Sequence, residues 1–147
     1  MTSADTNLFL YAANPDSPHQ GRARSFFDSV AGDANFVICE LVLVEVYMQL
    51  RNPSVMRKPL GSAEAAKFCR SLKAHPVWQH IDYSREVSDA VWAWAANTDS
   101  GFRQMIDARL AFTLLHHGVV DFATANLKDF GAFAFRKLWN PVQRADR

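Results

Sequence analysis

The sequence predicts an α/β domain: a mainly parallel central sheet of about four or five strands flanked by helices. Short apolar runs rich in β-branched residues alternate with stretches of helical period along the 147 residues. Pro, Gly and Asn/Asp breakers separate them, while no Gly/Ser/Pro linker and no internal repeat divides the chain. A hydrophobic content of 49% is ample for one continuous core, so residues 1–147 are expected to form a single domain. Strands alternating with helices imply right-handed crossovers and a site at the carboxyl ends of the strands.

The elements follow in order. A short, weakly apolar lead predicts a strand ending near Asp5, then a turn and a short helix through Leu8–Tyr11 up to the "NPD" breaker. Ser17 followed by Pro18 predicts an N-cap, with Phe26, Phe27 and Val30 as the apolar patch of a surface helix and Gly32 as its stop. The run Phe36 to Ile38 predicts a strand flowing into a helix that ends at Pro53. Ser62 opens an Ala-rich amphipathic stretch that Pro76 stops, and "VWQHID" predicts a strand. Ser84 is expected to cap a helix with Val87, Val91 and Trp94 on one side. "GFRQMIDARLAFTLLHHG" predicts the next helix, "VVDFAT" a strand, "ANLKDF" a loop with one turn, and "FAFRKLWNP" a last strand.

Charge excludes less than it allows. Sixteen Lys and Arg against fifteen Asp and Glu leave +1, too little for a polycation that grips nucleic acid by bulk charge, though a local basic strip is permitted. Arg51, Arg57, Lys58, Arg136, Lys137, Arg144 and Arg147 are candidates for phosphate contacts or for ordinary solvated surface. Cys39 and Cys69 are far apart and read as two buried thiols. The absence of an apolar leader or spanning run predicts a soluble cytoplasmic protein without a membrane role. No phosphate-binding glycine motif, nucleophile elbow or zinc spacing occurs, and His116 and His117 diverge on a helix. The four Trp and eleven Phe read as core.

What stands out is a charge inside an apolar stripe. At about 100° per residue, Ile106, Leu110, Ala111 and Leu114 share one helical face, and Asp107 falls in the same sector while Arg109 and His116 point away. An unpartnered carboxylate there costs several kcal/mol. Three other acids sit at comparable places: Asp5 where the first strand ends, Glu45 in the nearly all-apolar "LVLVEVYMQL", and Asp129 after the fourth strand. Carboxylates converging on a strand-end cleft repel one another, and a hard divalent cation, Mg²⁺ or Mn²⁺, relieves that repulsion with oxygen ligands. Each acid also has an ordinary reading. Asp5 can cap a helix, and Asp107 can face the helix dipole with Arg103 as its ion-pair partner. Glu45 can pair with a base, leaving Glu40 as the functional acid, and Asp129 can be a solvated loop residue. Together these readings need four independent coincidences.

At the same acids the sequence resembles the PIN-domain ribonucleases, and within them the VapC-type toxins of bacterial toxin–antitoxin pairs. "ADTNLFLYA", "LVLVEVY", "RQMIDARLAFTLLHHGV" and "FATANLKDFGAF" followed by "LWNP" carry the likeness, in order, over nearly the whole chain. The resemblance implies that Asp5, Glu45 and Asp107 are metal-binding acids for Mg²⁺ or Mn²⁺, with Thr124, Asn126 and Asp129 closing the site. It implies an endoribonuclease acting on RNA, a homodimer, and a VapB-like antitoxin whose segment blocks the cleft, with the helices between Pro18 and Ala74 available for such contacts. Thr6, Asn7 and Thr124 would hydrogen-bond the acids or the phosphate, and Arg103 would contact Asp107 or the substrate. Two departures stand: the family often has an acid where this chain has Asn126, leaving Asp129 or Asn126 as the fourth site residue, and the short polar first strand suggests a frayed sheet edge beside Asp5. Two rivals keep the same acids: a catalytically silent PIN-fold binding or regulatory module, and a structure-specific DNA nuclease.

Overall fold

The computed structural model describes residues 1–144. Five short strands form one sheet: β1 (Thr2–Ala4), β2 (Phe36–Cys39), β3 (Gln79–Ile81), β4 (Asp121–Ala123) and β5 (Lys137–Trp139). Every pairing is parallel and the order is β3-β2-β1-β4-β5, as the alternation of elements predicts. The expectation of a frayed edge beside Asp5 is overturned. β1 is the central strand, paired through Thr2–Ser3 to β2 and through Thr2–Ala4 to β4. Its polar Ser3 is tolerated in the interior because its hydroxyl donates to the Val37 carbonyl at 2.6 Å, leaving no polar atom unpaired.

Among the described residues seven helices flank the sheet: α1 (Thr6–Ala13), α2 (Gln20–Val30), α3 (Glu40–Leu50), α4 (Ser62–Lys73), α5 (Arg85–Ala96), α6 (Gln104–His116) and the single turn α7 (Leu127–Phe130). No turn separates β1 from α1. Asp5 leaves the strand and caps the helix directly, its side chain accepting from the Thr6 N–H at 2.7 Å. Ser84 caps α5 through the Val87 N–H, as expected. Ser17 does not cap α2. Its hydroxyl accepts from the His19 N–H and closes the turn before the helix, whose N-cap is His19. Ser62 is the first residue of α4 rather than its cap, a position taken by Gly61. α6 ends in a Schellman motif: Gly118 adopts φ 79°, its N–H reaches the Leu115 carbonyl, and Val119 N–H reaches that of Leu114.

Leu8, Phe36, Val37, Ile38, Val42, Val46, Leu114 and Phe122 are fully buried between sheet and helices. Aromatic rings seal the amino-terminal side, with Phe36 in contact with Phe26, Phe27 and Trp78. The expectation that the large aromatics are core holds only in part, because Trp92 and Phe102 are 64% and 86% exposed. No helix among the described residues is long and apolar enough to cross a membrane. Cys39 and Cys69 are free thiols, and burial pushes that of Cys39 up to about 11.

Phe36 joins strand β2 to this ring cluster, so Phe36→Ala is expected to lower unfolding free energy by about 3–5 kcal/mol, read as a shift in the urea midpoint at unchanged slope.

Candidate active site

The carboxyl ends of the central strands open onto a cleft of about 610 Å³. Asp5, Glu45, Asp107 and Asn126 line it, from the end of β1, from α3, from the first turn of α6 and from the loop after β4. Asp107 enters it for a geometric reason. It continues the buried stripe of Ala111 and Leu114 toward the amino end of α6, where the stripe meets the cleft. Ile106, expected on that buried face, is instead 47% exposed at the rim. Arg109 points away, its guanidinium 3.9 Å from the ring centre of Tyr83.

Asp5 is the anchor. It is 7% exposed, and both of its oxygens are engaged: Oδ1 by the Thr6 N–H, and Oδ2 by the Thr124 hydroxyl at 2.7 Å and the Asn7 amide at 3.3 Å. Thr124 in turn accepts from the Asn126 N–H, and Asn7 accepts from that of Ala125, tying the ends of β1 and β4 together. Thr6 donates its hydroxyl to Glu45 at 3.0 Å, which brings α3 to the same place. Burial raises the pKa of Asp5 against these three donors, and the nearby Asp129 raises it further. Burial raises that of Glu45 too, with Asp5 adding repulsion and the Thr6 bond opposing it. Asp107 is pushed up to about 6, first by burial and then by Asp129, Asp5 and Glu45. Asp5, Glu45 and Asp107 therefore each feel a neighbouring carboxylate although they come from separate segments.

Other expectations resolve differently. Asp129 is exposed on α7; its charge reaches Asp5 and Asp107, but it does not line the cleft, whereas Asn126 does. Arg103 makes no ion pair with Asp107 among the described residues and lies exposed beside Phe102. Glu40 is held by His80 and Lys73, away from the cleft. Of the basic candidates, Arg136 is paired with Asp121, Lys137 lies over Trp139 and Arg51 bonds the Tyr47 hydroxyl. Arg57, Lys58 and Arg144 are exposed, and Arg147 lies outside the described residues. The sequence reading missed Tyr11, Asn14, His19, Gln49 and Val55 as cleft residues. Tyr11 was within reach of it, since it follows Asp5 along one short helix; the loop residues carried no periodic signal.

Among the described residues no three His, Cys, Asp or Glu side chains form a ready-made metal group, and Asp5 and Glu45 turn oxygens toward hydroxyl and amide donors. The donor set is nonetheless all oxygen, mutually repelling and half-desolvated, which is the chemistry a hard divalent cation fits.

The PIN-domain family model matches residues 4–135. The ribonuclease VapC24 of Mycobacterium tuberculosis (strain CDC 1551 / Oshkosh) is 43% identical over 142 residues, covering 97% of each chain. Among solved structures, the sarcin–ricin-loop-cleaving toxin VapC20 of M. tuberculosis superposes with a TM-score of 0.65 at 16% identity, over 83% of this chain and 87% of that one. A toxin–antitoxin complex from Klebsiella pneumoniae matches with a TM-score of 0.62 at 16% identity, over 96% and 98%.

The folded Asp107 carboxyl keeps its proton up to about pH 6, whereas an unfolded one releases it near 3.8. Above pH 6 the folded state alone bears the burial and repulsion of that charge; below about 3.8 both states are neutral. In metal-free buffer Asp107→Asn is therefore expected to be more stable than the parent at pH 7.5, by on the order of 1 kcal/mol at this solvent-screened position. The advantage should fade as pH falls from 6 to 4 in urea titrations, and equal stability at pH 7.5 would refute the repulsion.

Proposed function

The chain belongs to the PIN-domain family, and from that premise we propose that it is a VapC-type toxin, a cytoplasmic endoribonuclease that uses Mg²⁺ or Mn²⁺ to hydrolyse phosphodiester bonds of RNA, its 147 residues working as one nuclease domain. The observation that carries this reading is the convergence of Asp5, Glu45 and Asp107, from three separate elements, on one cleft at the carboxyl edge of a parallel sheet. The near-full-length likeness to a ribonuclease supports the choice of RNA over DNA.

Asp5, Glu45 and Asp107 would hold the cation. When bound, it supplies acidification of a water for attack on phosphorus and neutralises charge on the phosphoryl oxygens. The protein's part is positioning. Thr6, Asn7 and Thr124 fix Asp5 and Glu45 by hydrogen bonds that need no rearrangement of the backbone. Burial, and then the negative charge of Asp129 from outside the cleft, raise the proton affinity of Asp107, which a bound cation would oppose. Asn126, at the wall, orients a water or a phosphate oxygen through its amide, and Arg103, exposed at the amino end of α6, meets the RNA backbone rather than Asp107.

An antitoxin partner and a homodimer complete the proposal. An apolar groove of about 580 Å³, lined by Phe9, Phe27, Leu50, Met56, Phe68 and Trp78, adjoins the acidic cleft and shares Asn14 and Asp16 with it. A VapB-like segment lying there would enter the acidic cleft by way of Asn14 and Asp16. Val44 and Met48, exposed on α3, support a further protein contact.

Asp5→Asn and Asp107→Asn are each expected to lower Mg²⁺-dependent cleavage of a single-stranded RNA pool by at least about 100-fold in the folded protein, and chelation to abolish it. Full cleavage by Asp107→Asn sinks the assignment. A protein that binds divalent ions without cutting RNA supports the silent module, and one that cuts structured DNA in preference supports the DNA nuclease.

A further inference from the structure

The cleft continues past the acids, and its far end is not used by hydrolysis. Tyr11, Asn14, His19, Gln49 and Val55 line it there. The rings of Tyr11 and His19 lie 4.8 Å apart, tilted by 53°, and both side chains are partly open to solvent. Tyr11 follows Asp5 by six residues along α1, a rise of about 9 Å, which is the scale of one nucleotide measured from phosphate to base. This end carries the exposed Asp16 carboxylate and two side-chain amides. Gln49 Oε1 is taken by the Asn52 amide and Asn14 Oδ1 by the Asp16 N–H, so each side chain presents its NH₂.

We propose that this end of the cleft is a subsite for a single unpaired nucleobase, stacked against the Tyr11–His19 pair while the adjoining phosphate lies at the acids. A base within a duplex cannot present its face to a side-chain ring, so the substrate class is single-stranded RNA or an RNA loop. The NH₂ groups of Gln49 and Asn14 match the carbonyl and ring-nitrogen acceptors of a base edge, and the Asp16 carboxylate beside them matches a base amino group. The inference rests on the ribonuclease reading and adds to it the part of the molecule that holds the strand.

The test pairs protein and substrate changes. The cut position is first mapped with the full-length wild-type protein and Mg²⁺ on a single-stranded RNA. The same strand is then made with one abasic ribose at each position around the cut. Loss of the base beside the scissile phosphate should lower wild-type kcat/KM about 10-fold, mainly through KM, as expected for one stacked base. Tyr11→Leu, which keeps apolar bulk on α1, and His19→Ala should show a similar loss on the intact strand and no further loss on the abasic one, while Tyr11→Phe should behave as wild type. Additive losses, or variants that cut the intact strand as well as wild type does, overturn the subsite. Variants with unchanged cleavage that escape inhibition by the cognate antitoxin also overturn it and assign this end to a protein segment. A wild-type protein that cuts no RNA removes the ribonuclease reading itself, whereas an active wild type with an additive cycle removes only the subsite.

Discussion

A carboxylate buried at the end of the central strand organises this molecule. Asp5 is nearly inaccessible, and such a charge survives in the interior only because three donors, the Thr6 N–H, the Thr124 hydroxyl and the Asn7 amide, replace the water it lost. Each donor also carries a structural duty. The first starts α1, the second joins the ends of β1 and β4, and the third reaches the Ala125 N–H. Moving Asp5 would disturb a helix start and a strand pairing together, so the site is as rigid as the sheet beneath it.

The same arrangement carries a built-in tension. Satisfying Asp5 by hydrogen bonds does not neutralise it: Asp129 raises the proton affinity of Asp5, Asp5 that of Glu45, and all three that of Asp107. A fold optimised for stability alone would not gather these charges, since like charges in a partly desolvated cleft oppose folding. Their energetic complement is a positive ligand. The rest of the core, with Leu8, Phe36, Val42 and Leu114 among its buried side chains, holds the elements in place against that repulsion.

Hydrophobic patterning and breakers were enough to read the α/β class, the order of the elements and the approximate bounds of most of them, because both are local and periodic. Local chemistry misled where a residue had two equivalent uses. Ser17 and Ser62 have the composition of caps, yet Ser17 closes a turn and Gly61 takes the cap before Ser62. The polarity of Thr2 and Ser3 suggested a sheet edge, and a single hydroxyl-to-carbonyl bond to Val37 sufficed to make that strand central. Arg103 stood one turn from Asp107 in sequence, but at the open start of the helix its side chain finds Phe102 and solvent.

From the chain alone one could conclude that Asp107 interrupts an apolar face and that Asp5 and Glu45 stand at element ends or in apolar surroundings, since those are properties of neighbours three or four residues away. That the three meet at one cleft, that Asn126 rather than Asp129 forms its wall, that Glu40 is taken up by His80 and Lys73, and that Tyr11 and His19 extend the same cavity are consequences of packing. The reason is one of range. Helical period and capping act over a single turn of chain, whereas a cleft is assembled from segments up to 119 residues apart, as the Thr124–Asp5 hydrogen bond is, and their meeting is decided by which helix lies over which strand of the open sheet.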